Sequence, residues 1–343
     1  MARERIMVWL PSPMGDAILS GPALRAIRRR FVSADIAFAG ETIIREVLAG
    51  NPWCDEWIEL RRNPLAFAGR LAAGRFDRAI LLKNSFGSAL TVRLARIRER
   101  IGYDREGRGI FLTQRIQPLR DTKGSFAPQS MIDYYLGIAG ALGADVSDRR
   151  MELFMEPEAS KSMLAKLPIA ATAGGPLVIL VPGGGFGPSK CWPAERYAAV
   201  ADILAHRYGA RVAVSVAPNA MEKRIGEQIV SLAKTKVYSL TETPLTLAEL
   251  KALFAEADLV IANDTGPRHI AIALKRKVIT LFGPNNPAWT QTGYPDEIQL
   301  VGQGPCVPCE KPACRESSHF CMESIPVEAV CSAADRMLEG WRR

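Results

Sequence analysis

Residues 177–200 read LVILVPGGGFGPSKCWPAERYAAV. An unbroken aliphatic run of strand type meets Pro182 and a glycine-rich turn, then Lys190, then Trp192-Pro193 and a helical pattern. Pro193 suits the first turn of a helix, where a backbone N–H has no partner anyway. Strand, glycine turn and helix in that order open a doubly wound parallel sheet. Just upstream, 155–176 contains Pro157, Pro168 and an Ala-Thr-Ala-Gly-Gly-Pro run, a composition suited to a linker, placed at 166–176. A second domain therefore starts at Leu177.

The pattern extends in both directions from this point. Downstream, strands are expected at 177–181, 211–216, 236–240, 258–262 and 277–282, with helices at 193–206, 221–233, 247–255 and 267–274. Upstream, strands are expected at 6–10, 35–39, 56–60, 78–82 and 98–101, with helices at 17–30, 42–49, 65–73 and 85–95. A loop over 107–128 and a helix over 129–142 complete the first half. Such alternation predicts parallel sheets covered on both faces. The fold class is α/β with two Rossmann-like domains in series, 1–165 and 177–326, and a final helix, 327–343, packing back on the body. Open parallel sheets bind ligands at the carboxyl ends of their strands, so two such domains facing each other make one cleft.

Composition narrows the partners. A chain of 343 residues with a formal charge of +8 and basic runs at 28–30 and 93–100 favours anions: nucleotides, phosphorylated glycans, a lipid surface or nucleic acid. Solvated helix faces would account for any one run equally well. No apolar stretch has the length of a membrane span and the start lacks a signal-peptide core, so a cytoplasmic location is expected. Basic residues are dispersed without interleaved aromatics, which argues against nucleic acid.

Three stretches carry chemistry. Gly183, Gly184 and Gly185 allow close backbone approach and Lys190 adds a point charge, a phosphate-binding combination; Gly187-Pro188-Ser189-Lys190 is not a P-loop order, and a solvated surface loop is the alternative. The strand 258–262 runs into Asn263-Asp264-Thr265-Gly266-Pro267-Arg268-His269, which places Asp264, Thr265 and Gly266 at a helix start facing an anion, with His269 one turn on. Asp264 either caps this helix or accepts from a sugar hydroxyl. Near the N-terminus, Met14-Gly15-Asp16 opens the first helix with an acid and a single glycine. That arrangement would repel a pyrophosphate, and on its own Asp16 reads as a helix cap.

The late cysteines, Cys306, Cys309, Cys314 and Cys321, follow C-x2-C-x4-C-x6-C spacing with His319 beside the last. A structural zinc site, free thiols and a local disulfide all fit. Cys54, Cys191 and Cys331 read as packing residues.

GDAILSGPALRAIRRR, PGGGFGPSKCWP and NDTGPRHIAIALKRKVITLFGPNNP occur in this order, and together they resemble the ADP-heptose:lipopolysaccharide heptosyltransferase family, glycosyltransferase family 9, over most of the chain. The resemblance implies a GT-B architecture and an inverting, metal-independent transfer of a heptose-type sugar. The donor would be ADP-activated and the acceptor an anionic, lipid-linked glycan at the inner face of the cytoplasmic membrane. By the resemblance, the donor site takes in Gly184, Gly185, Phe186, Lys190, Asp264, Thr265, Gly266 and His269. Glu222 would face the ribose and Leu245 would border adenine. Asp16 would be the catalytic base and Lys190, with His269, would meet the leaving diphosphate, the cysteine cluster lying away from the chemistry. Pro267, Arg268, Phe186 and Pro188 depart from the family pattern. No cofactor is implied for catalysis, and the chain has no Asp-x-Asp triplet of the kind that holds Mg²⁺. A nucleotide-sugar epimerase on the same plan and a zinc-bearing nucleic-acid binder are the alternatives.

Overall fold

The computed structural model describes residues 3–172 and 174–341. The chain divides into two compact units. One ends at Phe154 and takes in Ala288–Thr290; the other starts at Met155 and resumes at Gln291.

In the first unit the order is β1 (Arg5–Trp9), α1 (Met14–Leu19), α2 (Gly21–Arg30), β2 (Asp35–Gly40), α3 (Thr42–Val47), β3 (Glu56–Glu59), α4 (Pro64–Ala73), β4 (Arg78–Leu81), α5 (Phe86–Leu94), β5 (Glu99–Tyr103), β6 (Gln114–Ile116) and α6 (Met131–Ala141). All six strands pair in parallel in the order β3-β2-β1-β4-β5-β6. The central β1 has no solvent-exposed face: Ile6, Met7 and Val8 are fully buried, which is why its sequence reads as a continuous apolar run.

The expected single helix over 17–30 is two helices. Pro22 falls at the second position of α2 and has no N–H to donate one turn back, and Ser20 closes α1 by donating its hydroxyl to the Ala17 carbonyl at 2.7 Å.

The second unit holds α7 (Pro157–Lys166), β7 (Leu177–Val181), α8 (Ala194–Tyr208), β8 (Arg211–Val214), α9 (Ala220–Leu232), β9 (Val237–Ser239), α10 (Leu247–Glu256), β10 (Leu259–Asn263), α11 (Gly266–Ala273), β11 (Lys277–Phe282), β12 (Glu297–Val301), α12 (Phe320–Glu323) and α13 (Val327–Met337). Its strands follow β12-β11-β10-β7-β8-β9, again all parallel, so both units wind their sheets the same way.

The boundary lies earlier than 165, and most of the expected linker belongs to the second unit. There α7 packs on α10, burying Ala159 and Met163, and Lys166 forms a 2.7 Å ion pair with Glu249. The last helix, α13, packs on α8, β11 and β12 of this unit, where Val330, Ala333 and Ala334 are fully buried. No described helix is long and apolar enough to cross a membrane.

Candidate functional site

In the second sheet β7 and β10 are neighbours at the point where the strand order reverses. Their carboxyl ends are where such a sheet offers a ligand backbone N–H groups and helix starts. The loop after β7 carries the glycines and ends in a short 3-10 turn, Pro188–Lys190. The Lys190 side chain is 9% exposed; its Nζ donates to the Asp264 carbonyl at 2.7 Å and to Asp264 Oδ2 at 2.8 Å, and stands 4.8 Å from the centre of the Phe186 ring. An ammonium has three donors, so these contacts leave one for a ligand.

The three glycines have different reasons. A Cβ at Gly183 would lie 2.0 Å from the Glu222 carboxylate, and one at Gly184 would lie 2.6 Å from the Thr265 methyl. At Gly185 nothing lies within 4 Å. The first two are packing requirements, whereas the third leaves backbone open to an incoming group.

Thr265 begins α11 as its N-cap in an extended conformation, yet its hydroxyl makes no capping bond. Thr265 Oγ1 and His269 Nδ1 are both buried and have no hydrogen-bond partner within the protein. Buried polar atoms are nearly always satisfied, so two orphans in the first turn of one helix, beside Lys190, point to a bound group. Burial, and then Arg268, push the His269 imidazole down to about 3. At neutral pH it is therefore uncharged, a hydrogen-bonding group, which leaves Lys190 as the cation beside it. Burial pushes the Asp264 carboxyl up, but Lys190 and Arg268 overcome this and hold it at about 2. Both Asp264 oxygens are engaged, Oδ2 by Lys190 and Oδ1 by Arg268 at 3.1 Å.

Glu222 is 5% exposed, and its carboxylate accepts from the Ala217 N–H at 2.9 Å and from Asn219 Nδ2 at 3.1 Å. It shapes the wall under Gly183. Leu245 is half-buried in the loop that precedes α10.

In the first unit Asp16 is half-buried in the first turn of α1, after β1. Its charge reaches Tyr135, whose phenol is pushed well up by burial and then by Asp16. At the carboxyl end of the adjacent β4, Lys83 donates from Nζ to Ser12 Oγ. Arg108, fully buried, donates to the Tyr103 carbonyl at 2.8 Å and to Asn84 Oδ1 at 2.9 Å. Asp16 and Lys83 thus both follow the carboxyl ends of neighbouring strands, β1 and β4.

The cysteine loop touches the loop that carries Lys190. The Ser189 N–H donates to the Pro312 carbonyl at 3.1 Å, and the Ser189 hydroxyl donates to the Lys311 carbonyl at 2.6 Å. A Cβ at Gly187 would lie 2.3 Å from the Pro312 oxygen. Burial pushes the Cys321 thiol up, and Cys306, Cys309 and Cys314 nearby add to this. Among the described residues, no three His, Cys, Asp or Glu side chains are grouped to hold a metal ion.

Sequence reasoning passed over Asn263, Asn285 and Glu297. Asn263 is fully buried, accepts from the Tyr197 hydroxyl at 3.0 Å, and donates to the Pro182 carbonyl at 2.5 Å, tying β10 to the glycine loop. Asn285 Oδ1, after β11, is another buried atom without a partner. The Asn-Asn of FGPNNP, just past a strand's carboxyl end, is the signal by which it could have been found.

The family model and the sequence relatives agree on one family. A model of glycosyltransferase family 9 (heptosyltransferase) matches residues 65–319. The chain is 25% identical to lipooligosaccharide heptosyltransferase 2 of Campylobacter jejuni over 98% of each chain. The E. coli ADP-heptose LPS heptosyltransferase II structure superposes with a TM-score of 0.79 at 24% identity, over 98% of this chain and 99% of that one. The E. coli heptosyltransferase WaaC bound to ADP-2-deoxy-2-fluoro heptose gives 0.69 at 17% identity, over 97% and 99%. At these identities both structures speak for the fold.

Proposed function

The chain belongs to glycosyltransferase family 9, the heptosyltransferases, and on that premise we propose that it moves a heptose-type sugar from an ADP-activated donor to a lipid-linked lipopolysaccharide-core acceptor, with inversion and without a catalytic metal. The observation that carries the donor half is the buried group Lys190, Thr265 and His269 at the carboxyl ends of β7 and β10, with two polar atoms lacking partners. WaaC, solved with an ADP-heptose analogue, lends the ligand class.

In this reading the diphosphate lies against the open backbone at Gly185 and the start of α11. It takes a hydrogen bond from Lys190 Nζ and others from Thr265 and His269. Phe186, 39% exposed, closes over the ammonium. Glu222 and Leu245 border the nucleoside, and Asp264 keeps lone pairs for a sugar hydroxyl while anchoring Lys190.

An acceptor hydroxyl oxygen attacks the anomeric carbon from the face opposite the diphosphate. The new C–O bond forms as the old one breaks, ADP departs with the bonding pair, and the hydroxyl proton passes to Asp16. A carboxylate suffices as the base because the hydroxyl becomes strongly acidic only as its bond to an oxocarbenium-like carbon forms. Preorganised charge at Lys190 then meets the negative charge growing on the leaving oxygen.

The acceptor's lipid places the enzyme at the cytoplasmic face of the inner membrane, bound peripherally. Leu65 and Leu119, exposed by 69% and 56%, follow β3 and β6 and lie close in sequence to Arg61, Arg62 and Arg120; Ile110, 71% exposed, follows β5. Apolar tips beside arginines suit an anionic lipid surface. The cysteine loop takes no part in transfer; its four cysteines are free thiols that are not grouped to hold a metal ion among the described residues.

The test is a transfer assay with ADP-heptose and a heptose-accepting core glycolipid, run beside UDP- and GDP-sugars. Stereochemically inverted product from the ADP donor is expected. Release of an inverted free sugar nucleotide with no acceptor would instead favour an epimerase.

A further inference from the structure

Arg268 is fully buried one helical position before His269, and neither capping nor the donor contacts above account for it. Its guanidinium meets Glu297 as a fork, Nε to Oε1 at 2.6 Å and Nη2 to Oε2 at 3.1 Å. Its remaining arm, Nη1, donates to Asp264 Oδ1 at 3.1 Å. Glu297, the first residue of β12, is fixed in turn by the Thr280 hydroxyl at 2.5 Å and by Gln299 Nε2 at 3.0 Å. Alternating charges thus run Glu297, Arg268, Asp264, Lys190, every link made by a hydrogen bond and all of it out of water.

The order of the charges decides what the outer pair does. A buried ion pair offers little stability over an apolar filling of the same volume, so a fork placed behind a binding-site carboxylate calls for another explanation. Asp264 accepts both hydrogen bonds that hold the Lys190 ammonium. A carboxylate that lost the guanidinium on its Oδ1 would be freer to shift and to carry that long, flexible side chain with it. Arg268 fixes one oxygen and shares the negative charge, so that Asp264 orients the ammonium without fully neutralising it.

We propose that the Arg268–Glu297 fork is a positioning pair for the donor's diphosphate: it clamps Asp264 and so sets where Lys190 Nζ stands. This rests on the reading of Lys190 as a diphosphate ligand. Arg268 and Glu297 themselves touch no substrate.

The experiment is a double-mutant cycle read as ADP dissociation constants by calorimetric titration, with melting temperatures on the same samples. The four proteins are wild type, Lys190→Ala, the paired variant Arg268→Met/Glu297→Gln, and all three substitutions together. Removing a hydrogen bond to a charged group costs roughly tenfold or more in affinity, and that is expected for Lys190→Ala. The paired variant, which leaves no buried charge unmatched, should weaken ADP about as much. The combined variant should be little worse than Lys190→Ala, because both changes act through one contact. Losses that multiply, or a paired variant that keeps wild-type affinity, overturn the proposal. Wild-type affinity in Lys190→Ala would instead sink the underlying site reading. If the paired variant does not fold, Thr280→Val loosens Glu297 by one hydroxyl, and the same non-multiplying pattern is required of it.

Discussion

His319 Nε2 lies 2.6 Å from the carbonyl oxygen of Ser189, the residue immediately before Lys190. Together with the contacts of Pro312 and Lys311 to Ser189, it makes the cysteine loop a clasp on the phosphate loop. His319→Ala should therefore raise the ADP dissociation constant about three- to tenfold, the size of one lost hydrogen bond. The titration should be compared with Cys54→Ala, which removes a thiol in the other unit. Unchanged ADP binding in His319→Ala would mean that the clasp has no bearing on the donor.

Metal content gives a related prediction. The four thiols are not grouped to hold a metal ion among the described residues, so a chelator should leave the melting temperature and the ADP affinity unchanged; a fall in either would mean that the cysteine loop does hold a metal. Transfer should continue without added Mg²⁺. Activity that chelation removes and Mg²⁺ alone restores would refute a metal-free reaction.

Asp16→Asn should separate chemistry from donor binding. Asn is close to Asp in shape, so stability should change little, whereas losing a general base costs ~10² to 10⁴ in rate. The donor contacts are assigned to the second unit, so ADP affinity should hold. kcat for transfer and the ADP titration on one preparation provide the check. Normal turnover would leave Asp16 with only a structural part to play at the start of α1.

Acid should destabilise the protein earlier than carboxylates alone would cause. His269 is pushed down to about 3 by burial and then by Arg268, from an ordinary 6.5. Below pH 6.5 the unfolded chain takes up a proton that the folded protein refuses, so stability falls as pH drops from about 6.5 to about 3. The slope from this one group reaches at most ~1.4 kcal/mol per pH unit. Asp264, held at about 2, adds a further loss below the ordinary carboxylate range. Chemical denaturation at pH 7 and pH 5 should show the decline in wild type and a shallower one in His269→Gln; equal slopes would contradict it.

Binding to anionic vesicles should weaken as salt rises, because surface charges are screened over ~8 Å at physiological ionic strength. Leu65→Ser and Ile110→Ser should each reduce it further. Vesicle binding that ignores both salt and these substitutions would place the lipid contact elsewhere.

What could be read from the sequence followed burial and distance along the chain. β1, β7 and β10 are enclosed on both faces and so appear as unbroken aliphatic runs. β6 and β12 are edge strands, half-exposed with mixed composition, and the expected pattern contained neither. Lys190, Asp264, Thr265 and His269 were visible because each sits in a short contiguous motif at a strand's end. The Arg268–Glu297 fork spans 29 positions and the His319–Ser189 contact 130, separations that no local pattern encodes. The cysteines were read by spacing alone, which says nothing of what their loop leans on.

The contiguity of the first sheet has a bearing on how the protein is made. Its last strand is complete at Ile116 and its unit, apart from a three-residue return at Ala288–Thr290, at Phe154. A chain leaving the ribosome therefore has all it needs to close one parallel sheet before the first strand of the next is synthesised. Parallel sheets assemble slowly because distant segments must meet, and while they do so they expose aggregation-prone edges. Finishing one sheet before the other emerges keeps two sets of near-identical strand topology from pairing with each other during translation.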